Sequence, residues 1–479
     1  MHKKKKSIWK RLGLGVLITA LIAGAGIWIL SSVFRILPPE VRDTHGLIDK
    51  EAIVAESGER IFNACFLRQS DSGLWEVYLR GNAFDRGIAA GKLEKDLLAY
   101  QEKAFVDQIK RMVPSEFYLK FLRIFIACFN RNLASNIPEE LKEEIYGTSL
   151  SCTHDYDFIG SPYERQLNYH SAHDLGHALQ DYMLVGCTSF AAWGDATEDS
   201  TLLIGRNFDF YVGDDFARNK TVAFYAPEKG YKFVSVAWAG MSGVVSGMNE
   251  KGLTVTINAA KSSVPTASAT PISILCREIL QYASTVEEAR RIAGQYKLFV
   301  SESILIGSAI DKFAEIIEKS PNKMGVYTSG SNWLVCANHF QSETFQNDES
   351  NLENIKISDS PYRQQRMEEL IRSQIPLNPV KTAGILRDRA GLGGKDIGLR
   401  SEKAINQLIG HHSVIFIPEK KQIWVSTQPW QLGPYICYDL NTVFVNPDFS
   451  SEIRVDSLTI PADTFLQTKM YREFIYSGK

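Results

Sequence analysis

The sequence predicts an α+β protein with antiparallel sheets. Downstream of Cys187, short β-rich runs follow one another closely, with turn residues between them. Upstream, from Gly87 to about Tyr146, the chain is rich in Ala, Leu, Lys and Glu, which favour helix. Strand-rich and helix-rich stretches are grouped and do not alternate as βαβ units, so a parallel sheet is not expected.

Taken in order, Lys3, Lys4, Lys5, Lys6, Lys10 and Arg11 crowd the first eleven residues, and no acid precedes Glu40. Removing those six from the 53 basic residues leaves 47 against 55 acidic, so the rest of the chain carries −8 although the total is only −2. Nucleic acid is an unsuitable partner for such a body, because phosphate binding needs clustered excess base. Leu12 to Phe34 contains 23 residues without a charge, where about 20 suffice to span the hydrocarbon core. The basic flank places the tail in the cytoplasm and the body outside by the positive-inside rule. A cleaved signal peptide is the alternative, but its apolar region normally runs about 7 to 15 residues, and Ser31 to Arg35 offers a poor cleavage site.

Pro38 and Pro39 begin a connector. Residues 50–80 alternate weakly and include the strand-like run WEVYLR ending at Gly81. The helical stretch that follows is broken by Pro114 and Pro138, and His170 to Leu184 also reads as helix. After Gly186 the strand runs are TLLIGRNFDF, TVAFYAP, KFVSVAWAG, LTVTIN, SILIGSAI, FAEIIEKSP and NWLVCANHF, then HSVIFIP and QIWVSTQ joined by Glu419-Lys420-Lys421. Two helical stretches interrupt them. Pro271 to about Gly294 has a second half opening on the capping box Ser284-Thr285-Val286-Glu287, and the other runs from Tyr362 to about Ser373. Gln341 to Ser358 and Lys261 to Pro271 read as surface insertions.

The seven cysteines contain no C-x-x-C, which removes the common zinc-ribbon and redox readings. Cys187 stands in Val-Gly-Cys-Thr-Ser-Phe, where the helical half meets the β-rich half. A cut between Gly186 and Cys187 would give Cys187 a free α-amine beside its thiol, and an α-amine of pKa about 7.7 to 8.0 can take the thiol proton near neutrality. A buried structural cysteine is the plain alternative. Arg206 and Asp209, in GRNFDF, are placed one strand later: the arginine would favour a thiolate and the carboxylate would orient the amine. In LTVTIN, Leu253, Val255 and Ile257 share one strand face, leaving Asn258 on the other as an oxyanion donor. Asn338, in ANHF, closes another apolar strand and is a second amide donor. Strand-end capping is the commoner role of such asparagines.

The runs GCTSFAAWG, GRNFDF, GMNEKGLTVTINAA, ANHF and SPYRQQRMEEL together resemble the N-terminal-nucleophile (Ntn) hydrolases of the choloylglycine hydrolase and acyl-coenzyme A:aminopenicillanate acyltransferase group, over roughly Arg80 to Pro429. Leu79 to Gly87, LRGNAFDRG, resembles the N-terminal signature of the acyltransferase branch. The resemblance implies a four-layer αββα sandwich and self-cleavage. With the charge and hydropathy of the N-terminus, the chain is expected to divide into a basic tail (1–11), a transmembrane anchor (12–34), a linker (35–60), a mainly helical pro-segment (61–186) and a catalytic chain (187–479). The resemblance implies Cys187 as nucleophile after cleavage at Gly186-Cys187, with Arg206, Asp209, Asn258 and Asn338 as partners. A site arginine falls on Arg363, with Arg366 as the alternative, and Asn249 is matched as a turn residue. The implied substrate is a small N-acyl amide; the expected membrane location adds lipid-like ones, and no cofactor and no metal are expected.

His170, His173 and His177, with Asp174, lie near one helix face just before the cleavage point, as metal ligands would, or as a polar face packed on a neighbour. A metal-dependent hydrolase built on them, and a non-catalytic binding domain of the same fold, are the competing readings. Gly391 to Lys395 is not a phosphate loop, since Asp396 replaces the Ser/Thr.

Overall fold

The computed structural model describes residues 36–41, 46–112, 115, 126, 128–172, 174, 184–262, 268–445, 447, 448 and 450–476. The anchor read at 12–34, His173 and His177 lie outside the described residues. Among those described, no helix is long and apolar enough to cross a membrane.

Strands β1 (Ile53–Val54), β2 (Arg60–Phe62), β3 (Cys65–Gln69) and β4 (Trp75–Gly81) come first. Helices α1 (Ala83–Leu93), α2 (Lys95–Met112), α3 (Glu139–Ser149) and α4 (Pro162–His170) follow. Around Cys187 stand β5 (Leu184–Val185), β6 (Thr188–Ala192), β7 (Leu203–Phe208) and β8 (Phe210–Tyr211). Next come β9 (Lys220–Pro227), β10 (Phe233–Trp238), β11 (Ser246–Asn249) and β12 (Leu253–Ala259). Helices α5 (Ile272–Tyr282) and α6 (Val286–Gln295) precede β13 (Glu302–Ser308), β14 (Phe313–Lys319), β15 (Met324–Tyr327) and β16 (Trp333–Cys336). Helices α7 (Glu349–Ile357), α8 (Ser360–Gln374) and α9 (Pro379–Leu386) lead to β17 (His412–Ile417), β18 (Gln422–Ser426) and β19 (Tyr435–Asp439).

Among the described residues, eleven strands form one sheet in the order β1-β2-β3-β4-β9-β10-β11-β12-β13-β14-β15, and six form a second, β16-β6-β7-β17-β18-β19. Pairing is antiparallel except where β4 runs parallel to β9. The expected α+β class with antiparallel sheets is therefore what the chain adopts. Three apolar clusters set the layering. Phe66, Val222, Phe224, Leu305 and Ile316 of the large sheet meet Ile204, Leu334, Val414 and Val425 of the small one. On the other face of the large sheet, Val77, Phe233, Val255 and Ile304 pack on Phe84, Ile88, Leu275 and Ile279 of the helices. On the other face of the small sheet, Phe190, Leu203 and Ile415 pack on Met367, Ile371, Ala383 and Leu386. Helices thus cover both sides of two facing sheets, and every strand in the middle must be apolar on both faces.

The part of the chain before Cys187 is woven into this core. Strand β4 fills a place beside β9 in the large sheet. Helices α1 and α3 cross with their backbones in contact: a Cβ on Gly87 would lie 2.0 Å from the Glu144 carbonyl oxygen, and one on Gly147 would lie 2.6 Å from that of Phe84. Buried Glu144 takes bonds from Arg86 (Nη2, 2.6 Å) and from Arg277 of α5 (Nη2, 3.0 Å). The two guanidiniums outweigh burial and bring its pKa down to about 2. The stretch 341–358, expected as a plain insertion, carries α7. The α6 cap sits one residue later than expected. Thr285 accepts the Glu288 N–H at 3.2 Å, and the Glu288 carboxylate reaches back to the Ser284 N–H at 2.7 Å.

Candidate active site

Period-two alternation builds the site. Along β7, Ile204 faces the large sheet, and Arg206 two residues on turns the same way, while Asn207 points to the helices. Asn207 Nδ2 there holds the carbonyls of Leu386 (2.8 Å) and Ile405 (3.0 Å). Gly205 is required between them, because a Cβ would come within 2.7 Å of the Phe190 ring.

Cys187 lies between β5 and β6 and is fully buried. Its Sγ faces the Asp209 carbonyl oxygen at 3.8 Å, and the preceding Gly186 N–H donates to that same oxygen at 3.1 Å. The Gly186 carbonyl oxygen accepts from Gln407 Nε2 at 3.2 Å. A Cβ on Gly186 would sit 2.0 Å from that amide nitrogen and displace Gln407; the close approach of Gln407, and no unusual φ, explains this glycine. Burial pushes the Cys187 thiol up to about 11, with Arg206 pulling the other way.

Arg206 is also fully buried. Its Nη1 donates to the Val245 carbonyl (3.1 Å) and to the Ser246 hydroxyl, and its Nη2 to the Ile257 carbonyl. Its guanidinium stacks 4.2 Å from the centroid of Phe208. Burial works against this cation, and Cys187 and Asp209 work for it. Behind it stand two histidines that the sequence reading passed over. His412 Nε2 lies 2.8 Å from Ser246 Oγ and 3.4 Å from Arg206 Nη1. Its Nδ1 lies 2.9 Å from Nδ1 of His411. Burial, reinforced by Arg206 and Lys220, holds both imidazoles neutral, well below their usual pKa. Since Arg206 can only donate, His412 Nε2 is an acceptor toward it, and the His412 proton then belongs on Nδ1, shared with His411.

The Asp209 carboxyl is buried, and burial lifts it to about 7 against the pull of Arg363 and Arg206. Oδ1 accepts from Gln431 Nε2 at 3.4 Å, a contact that Gly410 permits because a Cβ there would lie 2.5 Å from Oδ1. Oδ2 has no hydrogen-bond partner among the described residues.

Asn258 is where strand alternation put it, with Leu253, Val255 and Ile257 facing the helices. Its Nδ2 donates to the Cys336 carbonyl (3.1 Å), and its Oδ1 accepts from Ser189 (3.0 Å), two residues beyond Cys187 on β6. One amide hydrogen remains beyond that bond. Asn338 Nδ2 donates to the Ala259 carbonyl (2.9 Å), and its Oδ1 accepts from Arg363 Nη2 (2.6 Å). Burial works against the charge of Arg363 and lowers its pKa, with Asp209 and Cys187 pulling the other way. Arg366 instead turns to Asp388 (2.9 Å) and Glu369 (3.1 Å). Asn249 closes its turn, with Oδ1 accepting the N–H groups of Lys251 and Leu253.

His170 spends both ring nitrogens inside the fold: Nδ1 meets the Gln166 carbonyl at 2.7 Å, and Nε2 accepts the Ser242 N–H at 2.9 Å. Burial drives its pKa down to about 4. Asp174 Oδ1 accepts the Ile272 N–H that opens α5, at 3.0 Å. Among the described residues no cluster fit for a metal ion forms. None of the seven cysteines forms a disulfide. A cleft of ≈ 30 Å³, room for a water molecule or two, is lined by Leu98 and Phe105 of α2, by Tyr169 and His170 of α4, and by Phe216, Trp238 and Met241. Phe210, which also lines it, stacks on Phe208.

Residues 196–391 match the family described as acyl-coenzyme A:6-aminopenicillanic acid acyl-transferase, which bears out over that stretch the resemblance read in the sequence. Cys187 lies just upstream of the match. An uncharacterized protein of Archaeoglobus fulgidus is 24% identical over 297 residues, covering 57% of this chain and 49% of that protein. Protein dcd1B of Dictyostelium discoideum is 24% identical over 270 residues, covering 52% of this chain and 51% of that protein. The chain spans about half the length of these curated relatives. Three solved structures are similar in part. The Caenorhabditis elegans ortholog of N-acylethanolamine-hydrolyzing acid amidase has a TM-score of 0.37 at 15% identity, covering 49% of this chain and 93% of that one. Penicillin V acylase from Agrobacterium tumefaciens has a TM-score of 0.34 at 16% identity, covering 53% and 86%. A mutant of conjugated bile acid hydrolase from Clostridium perfringens has a TM-score of 0.36 at 14% identity, covering 55% and 94%.

Proposed function

With residues 196–391 matching the acyl-coenzyme A:6-aminopenicillanic acid acyl-transferase family, we propose that the chain cuts itself between Gly186 and Cys187. The released N-terminal Cys187 is then the nucleophile of an amidohydrolase or acyltransferase acting on C–N bonds of small, non-peptide N-acyl amides. One observation carries this reading. Buried Cys187 sits with Arg206 and with the Asp209 carboxyl, whose Oδ2 has no partner among the described residues. An orphaned buried oxygen costs about 1–3 kcal/mol. The α-ammonium exposed by scission is the partner that would relieve it.

In the uncut chain the thiol is high, at about 11, and protonated at neutral pH. Once the peptide bond is broken, the Cys187 amine is the base that takes the thiol proton, and Arg206 stabilises the thiolate. The thiolate adds to the acyl carbonyl, and the free amide hydrogen of Asn258 supports the oxyanion. Collapse expels the amine, which takes back from the Cys187 α-ammonium the proton that came from the thiol, and leaves a Cys187 thioester, which passes to water or to an acceptor amine. Asn338 positions Arg363, which faces Asp209. The charge-free run 12–34 and its basic flank support a body tethered on the extracytoplasmic side of a membrane.

Purified chain offered a panel of N-acyl amides tests the reading. A mass increment of one acyl group on Cys187 and loss of turnover in Cys187→Ala are expected. An active Cys187→Ala variant contradicts it.

A further inference from the structure

We propose that Gln407 is the oxyanion donor of the self-cleavage step, an assignment that rests on the reading of Gly186-Cys187 as the bond the chain cuts. Gln407 Nε2 donates at 3.2 Å to the Gly186 carbonyl oxygen, the atom that gains negative charge when Cys187 Sγ adds to that carbonyl. Among the described residues it is the donor this oxygen has. The other edge of the same peptide is gripped by the Gly186 N–H bond to the Asp209 carbonyl at 3.1 Å.

The donor is fixed before reaction. Gln407 is 3% exposed. Its loop is pinned on both sides: Asn207 Nδ2 holds the Ile405 carbonyl (3.0 Å), the Asn406 N–H donates to the Asp388 carbonyl (2.8 Å), and Asn406 Oδ1 takes the Leu408 N–H (3.0 Å). Leu408 adopts φ 56°, a left-handed turn conformation held by that Asn406 contact. A preset neutral amide against a developing oxyanion strengthens as charge appears, because hydrogen bonds to ionised acceptors are about twice as strong as neutral ones. Near Cys187, Arg206 donates instead to Val245, Ile257 and Ser246, and Asn258 Nδ2 to the Cys336 carbonyl; the free amide hydrogen of Asn258 is not bonded to the Gly186 carbonyl.

The step balances without any redox partner. The Sγ–C bond forms, the Gly186 C–N bond breaks, and the thiol proton ends on the new Cys187 amine. Water then hydrolyses the Gly186 thioester, returning the thiol and leaving a Gly186 carboxylate.

The test follows scission of freshly synthesised full-length chain over time by intact mass. Gln407→Leu, which cannot donate, is expected to slow scission by about 10²–10³-fold, the usual loss for one oxyanion donor. Gln407→Glu, which keeps the shape but sets a carboxylate against the oxyanion, is expected to slow it at least as much. Melting of each variant in the Cys187→Ala background reports whether the fold survives, and where Leu disturbs it the Glu variant decides. Scission at the wild-type rate in a folded variant overturns the assignment alone. A wild-type chain that stays whole under the same conditions overturns the self-cleavage reading and the assignment with it.

Discussion

Asp209→Asn, placed in a Cys187→Ala chain that the proposal expects to stay uncut, isolates the group on which the proposed chemistry turns. Burial lifts the Asp209 carboxyl from 3.8 to about 7. A carboxyl raised in the fold binds its proton more tightly there than in the unfolded chain, so its contribution to stability falls as pH rises from about 4 to about 7 and is lowest above that window. A shift of about three units at 1.36 kcal/mol each puts the full effect at roughly 4 kcal/mol. Between pH 5 and pH 8, the loss is about 2–3 kcal/mol. Asparagine fills the same space, keeps an oxygen for Gln431 and does not titrate. The parent should therefore lose stability relative to the Asn variant as pH rises from 5 to 8, read as a gap between their Tm values that widens by several degrees. Two other buried groups, Glu94 and Lys220, also sit at about 7, but both are common to the two proteins and cancel in the difference. Parallel stability profiles for parent and variant would refute the picture of a buried carboxyl waiting for an amine.

Glu144→Gln should be among the most damaging single changes, because it leaves Arg86 and Arg277 facing each other without their anion; removing one partner of a buried pair typically costs about 3–5 kcal/mol. Since the Glu144 carboxyl is depressed, its stabilisation is present above the ordinary carboxylate pKa of 4.5 and is lost as pH falls from 4.5 toward 2, which acid melts of the two proteins would reveal. Gly186→Ala should push Gln407 off the scissile carbonyl and slow fragment formation without unfolding the chain, as gel time courses and melting together would report. Arg363→Leu should lower kcat about tenfold or more, while Arg366→Leu, which breaks only the Asp388 and Glu369 pairs, should lower Tm and leave kcat within about twofold. The two pieces should co-elute after scission, because β4 stays paired with β9 and Glu144 stays bonded to Arg277.

The face on which a strand residue lies was legible because strands obey a period of two: Leu253, Val255 and Ile257 against Asn258 is a statement any reader of LTVTIN can make, and the structure agrees; the layering was expected from the family resemblance. Cys187, Arg206 and Asp209 were legible together because they lie within one hairpin of sequence. Gln407 was not, since it reaches Gly186 across 221 positions from a loop with no periodicity. The adjacent pair His411-His412 at the head of β17 was a visible signal. Only the approach of Arg206 and Ser246 from other strands makes it a chain of hydrogen bonds. The three-histidine spacing before the proposed cleavage point left metal open as one reading, but His170 is a core residue whose two nitrogens serve the backbone. The place of β4 inside the large sheet was hidden because its partner β9 lies well over a hundred residues further on, beyond helices α1 to α4. The α6 cap slipped by one position because Thr285 and Glu288 satisfy the same pattern as Ser284 and Glu287, and only packing chooses between them.

The central claim is that one bond, Gly186-Cys187, is cut by the chain itself. Intact mass and N-terminal sequencing of purified protein, beside Cys187→Ala made in the same way, test it most directly. The account expects a fragment of 293 residues, 479 less 186, beginning at Cys187, and a Cys187→Ala chain that remains uncut there. A wild-type chain that stays whole, or a Cys187→Ala chain cut at the same bond, would contradict it.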